Sequence, residues 1–102
     1  MNRENFLDIK SGKKTIETRA ATKRYGQIKA GDMLVLICGK EKFEKEVKKA
    51  RIFKTIRALV KVHPIKTIMP GLKTEEELRG EYYSYPDYKD KIKKYGLIAL
   101  EL

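Results

Sequence analysis

Ser11-Gly12-Lys13-Lys14-Thr15-Ile16-Glu17-Thr18-Arg19 gathers glycine, cations, hydroxyls and one carboxylate around a turn-to-strand junction. Gly12 suits the end of a preceding helix, whose short apolar stripe is Phe6, Leu7 and Ile9 after a capping Asn2. Beyond the turn, Thr15 to Arg19 alternates as a strand, with Thr15, Glu17 and Arg19 opposite Ile16. The stretch superficially resembles a phosphate loop. However, the Walker spacing demands a glycine where Leu7 stands, so that type of nucleotide hydrolysis is excluded.

Downstream, a basic loop Thr22-Lys23-Arg24-Tyr25-Gly26 leads to the turn Lys29-Ala30-Gly31-Asp32. Then comes the continuous apolar run Met33 to Cys38, expected to be a central strand. Residues 42–54 are ambiguous: Phe43, Val47, Ala50 and Phe53 or Lys54 fall at helical spacing in a Lys/Glu-rich context, so the periodicity by itself suggests a helix without deciding it. Ile56–Val62 reads as an amphipathic helix that ends before His63-Pro64, because proline pushes its predecessor out of the α region. Met69-Pro70-Gly71 is a turn, and Thr74-Glu75-Glu76-Glu77 caps another helix carrying Tyr82, Tyr83 and Tyr85. Pro86-Asp87 opens a short basic helix to Lys94, and Tyr95-Gly96 turns into a last strand, 97–102. Short helices and strands without repeats or linkers give an α+β class, with residues 1–102 as one domain.

Charge is the loudest compositional signal: formally +10, with a pI near 9.7. It is unevenly placed, since residues 1–54 hold 15 Lys and Arg against 7 Asp and Glu, and residues 55–102 hold 9 against 7. Such an excess draws polyanions. Side-chain amides are confined to Asn2, Asn5 and Gln27, which with abundant Lys and Glu is a thermophile-like composition. Thermal adaptation accounts for the density of charge but not for its sign. One histidine and one cysteine supply no zinc site, and no carboxylates stand at calcium-loop spacing, so neither metal nor cofactor is expected. Cys38, inside an apolar run, reads as a small core hydrophobe, and no nucleophile motif surrounds it or any serine. No apolar run is long enough to cross a bilayer, and Met1 to Asn5 lacks a signal-peptide stretch, so no membrane partner and a cytoplasmic location are expected.

The pattern Phe6-x-x-Ile9-x-Ser11-Gly12-Lys13-Lys14-Thr15-Ile16-Glu17-x-Arg19, followed by Ile28-x-x-Gly31-Asp32, resembles the ASCH domain family, whose fold is like that of PUA domains. Met69-Pro70-Gly71, the Glu-rich helix with Tyr82-Tyr83 and the closing Lys94-Tyr95-Gly96-Leu97-Ile98-Ala99-Leu100 extend the resemblance over nearly the whole chain. It implies a mixed β-barrel surrounded by short helices, with a cleft beside Lys14 to Arg19. It also turns roughly Phe43–Phe53 into a bent strand.

The resemblance further implies RNA binding through a basic cleft that takes an unpaired or modified nucleotide or nucleoside. The residues expected to do this are Lys13, Lys14, Thr15, Glu17, Arg19, Lys23, Arg24, Tyr82 and Tyr83. Arg19 and Lys14 would hold phosphate oxygens, Glu17 would accept from a base amino group, and a tyrosine would stack on a base. One branch of the family hydrolyses N4-acetylcytidine with a lysine, a threonine and a glutamate. Lys14 matches the lysine; the threonine position is Glu17, and the glutamate position falls near Pro70-Gly71. With two of three positions unmatched, binding leads. The alternative is a metal-independent hydrolase of a modified nucleoside or of RNA, with Glu17 moving the proton and Lys14 stabilising charge. An acidic protein surface is the third class of partner that the charge would suit.

Overall fold

A computed structural model describes residues 2–102 as an α+β fold. Helix α1 spans Arg3–Ser11; Asn2 accepts a hydrogen bond from the Asn5 amide at its start, and Gly12 closes it in the left-handed region. Strand β1 is Ile16–Ala20, one residue later than the alternation indicates. Strands β2 (Met33–Cys38), β3 (Glu41–Glu46) and β4 (Lys49–Phe53) follow. Then come helices α2 (Ile56–Val62), α3 (Ile65–Ile68), α4 (Glu75–Tyr83) and α5 (Tyr88–Tyr95), before the last strand β5 (Leu97–Glu101).

Two antiparallel sheets result, ordered β1-β5-β4 and β2-β3. Among the described residues the strands do not close into the barrel expected from the resemblance. The expected central strand is also displaced: β2 is half of a hairpin, and β5 takes the middle of the three-stranded sheet. Every other residue of β2 faces outward, with Met33, Val35 and Ile37 more than half exposed, so a continuous apolar run here does not mean burial on both faces. The helix suggested over 42–54 is absent. Its place is taken by β3 and β4, and Phe43 and Lys45 are the half-buried side chains of a strand alternation. Val47 and Lys48 form the bend between the two strands. Val47 is fully buried and exchanges backbone hydrogen bonds with Gly31 and Asp32, which carries the chain from one sheet to the other.

Each face of the three-stranded sheet has its own apolar layer. Ile16, Phe53, Leu97 and Ala99 pack against α2, α3, α4 and α5 through Leu59, Ile68, Leu78, Tyr82 and Ile92. Val47, Ile98 and Leu100 pack with Ala21, Tyr25, Ile28 and Leu34 on the other side. A third cluster seats α1 on the hairpin, with Phe6 edge-to-face on Phe43 at 4.9 Å between centroids. Cys38 packs at its margin, as its apolar surroundings in the sequence indicate. Thr74 and Glu77 complete a capping box at the start of α4. Gly96 ends α5 with φ +78°, and a Cβ there would collide with the Phe53 carbonyl oxygen, so glycine is required where α5 turns back beside β4. No described helix is long and apolar enough to cross a membrane.

Candidate functional site

Among the described residues, strand β1 has one neighbour, β5, and its other edge has no strand partner. That edge is closed by side chains and one helix: the Thr18 amide donates to Glu17 Oε1 at 3.2 Å, and the Ala20 amide donates to the Tyr88 hydroxyl at 3.4 Å. Just before the strand, the Thr15 amide donates to the Thr67 carbonyl at 3.2 Å. A cleft of about 260 Å³ opens along this edge. Asn5 and Asp8 of α1 form one side, Met69 to Leu72 another, and Glu81, Tyr82, Tyr85 and Tyr88 the third.

At its centre lies a chain of three charges. Lys14 Nζ stands 3.3 Å from Glu17 Oε1, with both side chains almost wholly buried at 4% and 3% exposure. Arg19 Nη2 stands 3.1 Å from Glu17 Oε2 and is one-third exposed. Although that contact is short enough for an ion pair, Oε2 is buried and has no aligned hydrogen bond among the described residues. Arg19 donates instead to the Thr18 carbonyl, at 3.3 Å. The carboxylate is therefore charge-compensated while one of its oxygens keeps an open acceptor direction. Sequence alternation explains the pairing of Glu17 and Arg19 on one face, and the turn at Ser11 to Lys13 brings Lys14 back beside them.

Thr18 points to the opposite face, where its hydroxyl shares a hydrogen bond with the buried Tyr82 hydroxyl. Burial pushes the Tyr82 phenol well above its ordinary value, and burial likewise pushes Tyr85 up to about 12. Tyr85 and Tyr88 meet edge to face at 5.2 Å, and Tyr82 and Tyr88 lie nearly parallel at 6.4 Å, so the three rings form one wall.

The expected residues separate into four groups. Lys14, Glu17, Arg19 and Tyr82 do line the cleft, but Tyr82 is a core residue with 1% exposure rather than an open stacking surface. Lys13 and Thr15 are exposed beside it and do not line it. Lys23 and Arg24 sit on an exposed loop, where Arg24 lies 5.3 Å from the Tyr25 ring and Arg19 lies 5.9 Å from the same ring, a link between loop and cleft. Tyr83 faces a different groove altogether.

Charge in the cleft also departs from expectation. Glu4, Asp8, Glu17 and Glu81 line it against Lys14 and Arg19, so the cleft is not basic, and the positive excess lies on the surface around it.

No protein-family model and no curated protein matches the chain. Solved structures do. The crystal structure of hypothetical protein PH0355, from Pyrococcus, is 33% identical with a TM-score of 0.87, covering 99% of this chain and 91% of that one. The solution structure of protein PF0455 from Pyrococcus furiosus is also 33% identical, with a TM-score of 0.79, covering 99% of this chain and 89% of that one. The chain belongs to the family of these Pyrococcus proteins.

In this member of the PH0355 and PF0455 family, the cleft includes residues that local sequence signals do not reveal. Asn5, Asp8, Thr18, Glu81 and Tyr88 come from four elements and Tyr85 from the turn between α4 and α5, and only the packing of α1, α4 and α5 around the β1 edge assembles them. The one available hint is the density of tyrosine between positions 82 and 88.

Proposed function

We propose that this member of the PH0355 and PF0455 family is an ASCH domain with a PUA-like arrangement, acting in the cytoplasm by binding single-stranded RNA. One unpaired or modified nucleobase enters the cleft, and surface cations hold the flanking phosphates. The observation that carries the reading is Glu17 Oε2, a buried carboxylate oxygen with no aligned donor, set beside a partly exposed guanidinium. A base amino group supplies the missing donor. Four carboxylates among the lining residues repel phosphate, so the neutral base goes inside and the backbone stays outside, along Arg19, Arg24 and Lys13.

Binding of a short single-stranded RNA, followed across a salt series, tests this. Each phosphate contact contributes about −0.7 to the log–log slope, and three to five contacts give about −2 to −4. Arg19→Lys keeps the charge but loses the planar fork, so affinity falls about tenfold. Unchanged affinity in that variant, or no binding at low salt, overturns the reading.

A second reading, a metal-independent hydrolase of a modified nucleoside, is favoured by the Lys14–Glu17 pair at 3.3 Å inside the cleft. The Thr18 hydroxyl, already engaged by Tyr82, is a poor nucleophile there. Incubation with N4-acetylcytidine decides between the two: no turnover is expected, and turnover abolished by Lys14→Ala establishes the enzyme.

A further inference from the structure

On the helical side of the molecule, a second groove of about 560 Å³ lies between the start of α2 and the facing parts of α4 and α5. This is within the roughly 300–1,000 Å³ range of small-ligand sites. Its chemistry is the reverse of the first cleft. Five cations line it against one carboxylate, Asp90. Two of them, Arg57 and Arg79, are held by the same Glu75 oxygen, at 3.5 Å and 2.7 Å. The other three, Lys54, Lys89 and Lys93, are exposed and form no ion pair among the described residues.

Two further features narrow the ligand. Buried Ile56 and Ile92 give the groove an apolar lining between the cations. Tyr83 stands in it with 40% of its surface exposed, and Lys89 Nζ lies 5.7 Å from the ring centroid. Lysines without carboxylate partners attract an anion, whereas an exposed aromatic ring beside them gives a planar group something to stack on. Together they match a phosphate attached to a nucleobase.

We propose that this groove is a nucleotide-phosphate site, in which Lys54, Lys89 and Lys93 hold the phosphate and Tyr83 stacks on the adjacent base. Its ligand is a nucleoside monophosphate unit, either free or within an RNA strand. The site is independent of the cleft beside β1: it shares no lining residue with it and does not require any ligand there. An acidic peptide would satisfy the lysines but would gain nothing specific from Tyr83.

The test is titration of the full chain with AMP, adenosine, inorganic phosphate and a short single-stranded oligonucleotide at low salt, by calorimetry. AMP should bind more tightly than phosphate, and adenosine only weakly. Lys89→Glu with Lys93→Glu, both at exposed positions, should weaken AMP at least tenfold, and Tyr83→Ala should weaken it about fivefold or more. Lys48→Glu, at an exposed position that lines neither cleft nor groove, should leave AMP binding unchanged, which separates this site from general electrostatic attraction. An oligonucleotide that binds more tightly than AMP with the same losses identifies a strand as the source. Equal affinity identifies the free nucleotide. AMP binding that survives the double charge reversal, absence of AMP binding, or a poly-glutamate peptide that binds equally well with and without Tyr83 overturns the proposal.

Discussion

Lys14 and Glu17 are joined 3.3 Å apart at the unpaired edge of β1, each with less than a twentieth of its side chain in contact with water. An ion pair so placed has given up hydration that its partner must replace, so removal of Glu17 leaves Lys14 as an uncompensated buried charge, whereas removal of Lys14 leaves Glu17 still beside Arg19. Glu17→Leu is therefore expected to cost about 3–5 kcal/mol in urea unfolding at neutral pH. Pairing it with Lys14→Met should restore part of that loss. A single variant as stable as the parent would show that the pair has no structural weight.

Tyr82 and Thr18 provide a neutral counterpart. Their shared hydrogen bond ties α4 to β1 from the face opposite Glu17. Tyr82→Phe strands the Thr18 hydroxyl in a buried position, with an expected loss of about 1–3 kcal/mol, whereas Tyr82→Phe with Thr18→Val should cost less than the two single changes added together. Strict additivity in the cycle would contradict the bond.

Alkaline pH acts through the same wall of tyrosines. Burial raises Tyr82 far above its ordinary value and Tyr85 to about 12, so the folded chain keeps phenolic protons that the unfolded chain releases near pH 10. The resulting stability is complete below about pH 10 and declines as pH rises from there towards 12. Ultraviolet titration should show a late phenolic group that ionises only around 12 or with unfolding. Ionisation of all six tyrosines together near 10, with stability unchanged, is the contrary result.

The capping box makes a smaller and cleaner prediction. Thr74→Ala removes the acceptor for the Glu77 amide at an exposed site, so α4 should lose about 1 kcal/mol in thermal or urea unfolding. No change would mean that Glu77, which accepts from the Lys73 and Thr74 amides, holds the helix start unaided.

Much of this architecture is legible locally. Asn2, Gly12, Thr74 and Gly96 mark element ends through capping and left-handed backbone, and these signals survive folding because they depend on near neighbours. Glu17 and Arg19 fall on one face for the same reason. By contrast, Met33 to Cys38 is apolar enough for a sheet centre yet among the described residues pairs only with β3, because the chain bends at Val47 and gives β5 the central position. The periodicity over 42–54 misleads because Phe43, Val47 and Ala50 keep helical spacing although they turn inward from three different places, β3, the bend and β4. Tyr83 cannot be separated from Tyr82 in sequence. One helical step sends Tyr82 into the core and Tyr83 to the opposite groove. The acidity of the cleft is equally hidden, since Glu4, Asp8 and Glu81 reach it only when α1 and α4 pack beside β1.

The most direct test of RNA recognition at the β1 edge is to follow backbone and guanidinium NMR signals during titration with a short single-stranded RNA. The largest shifts should fall on the Thr18 amide, which already donates to Glu17, on the Arg19 guanidinium, and on Leu72 and Tyr85 across the cleft. Shifts confined to exposed lysines such as Lys23 and Lys48, with Thr18 and Arg19 unmoved at saturation, would contradict the cleft as the site of recognition.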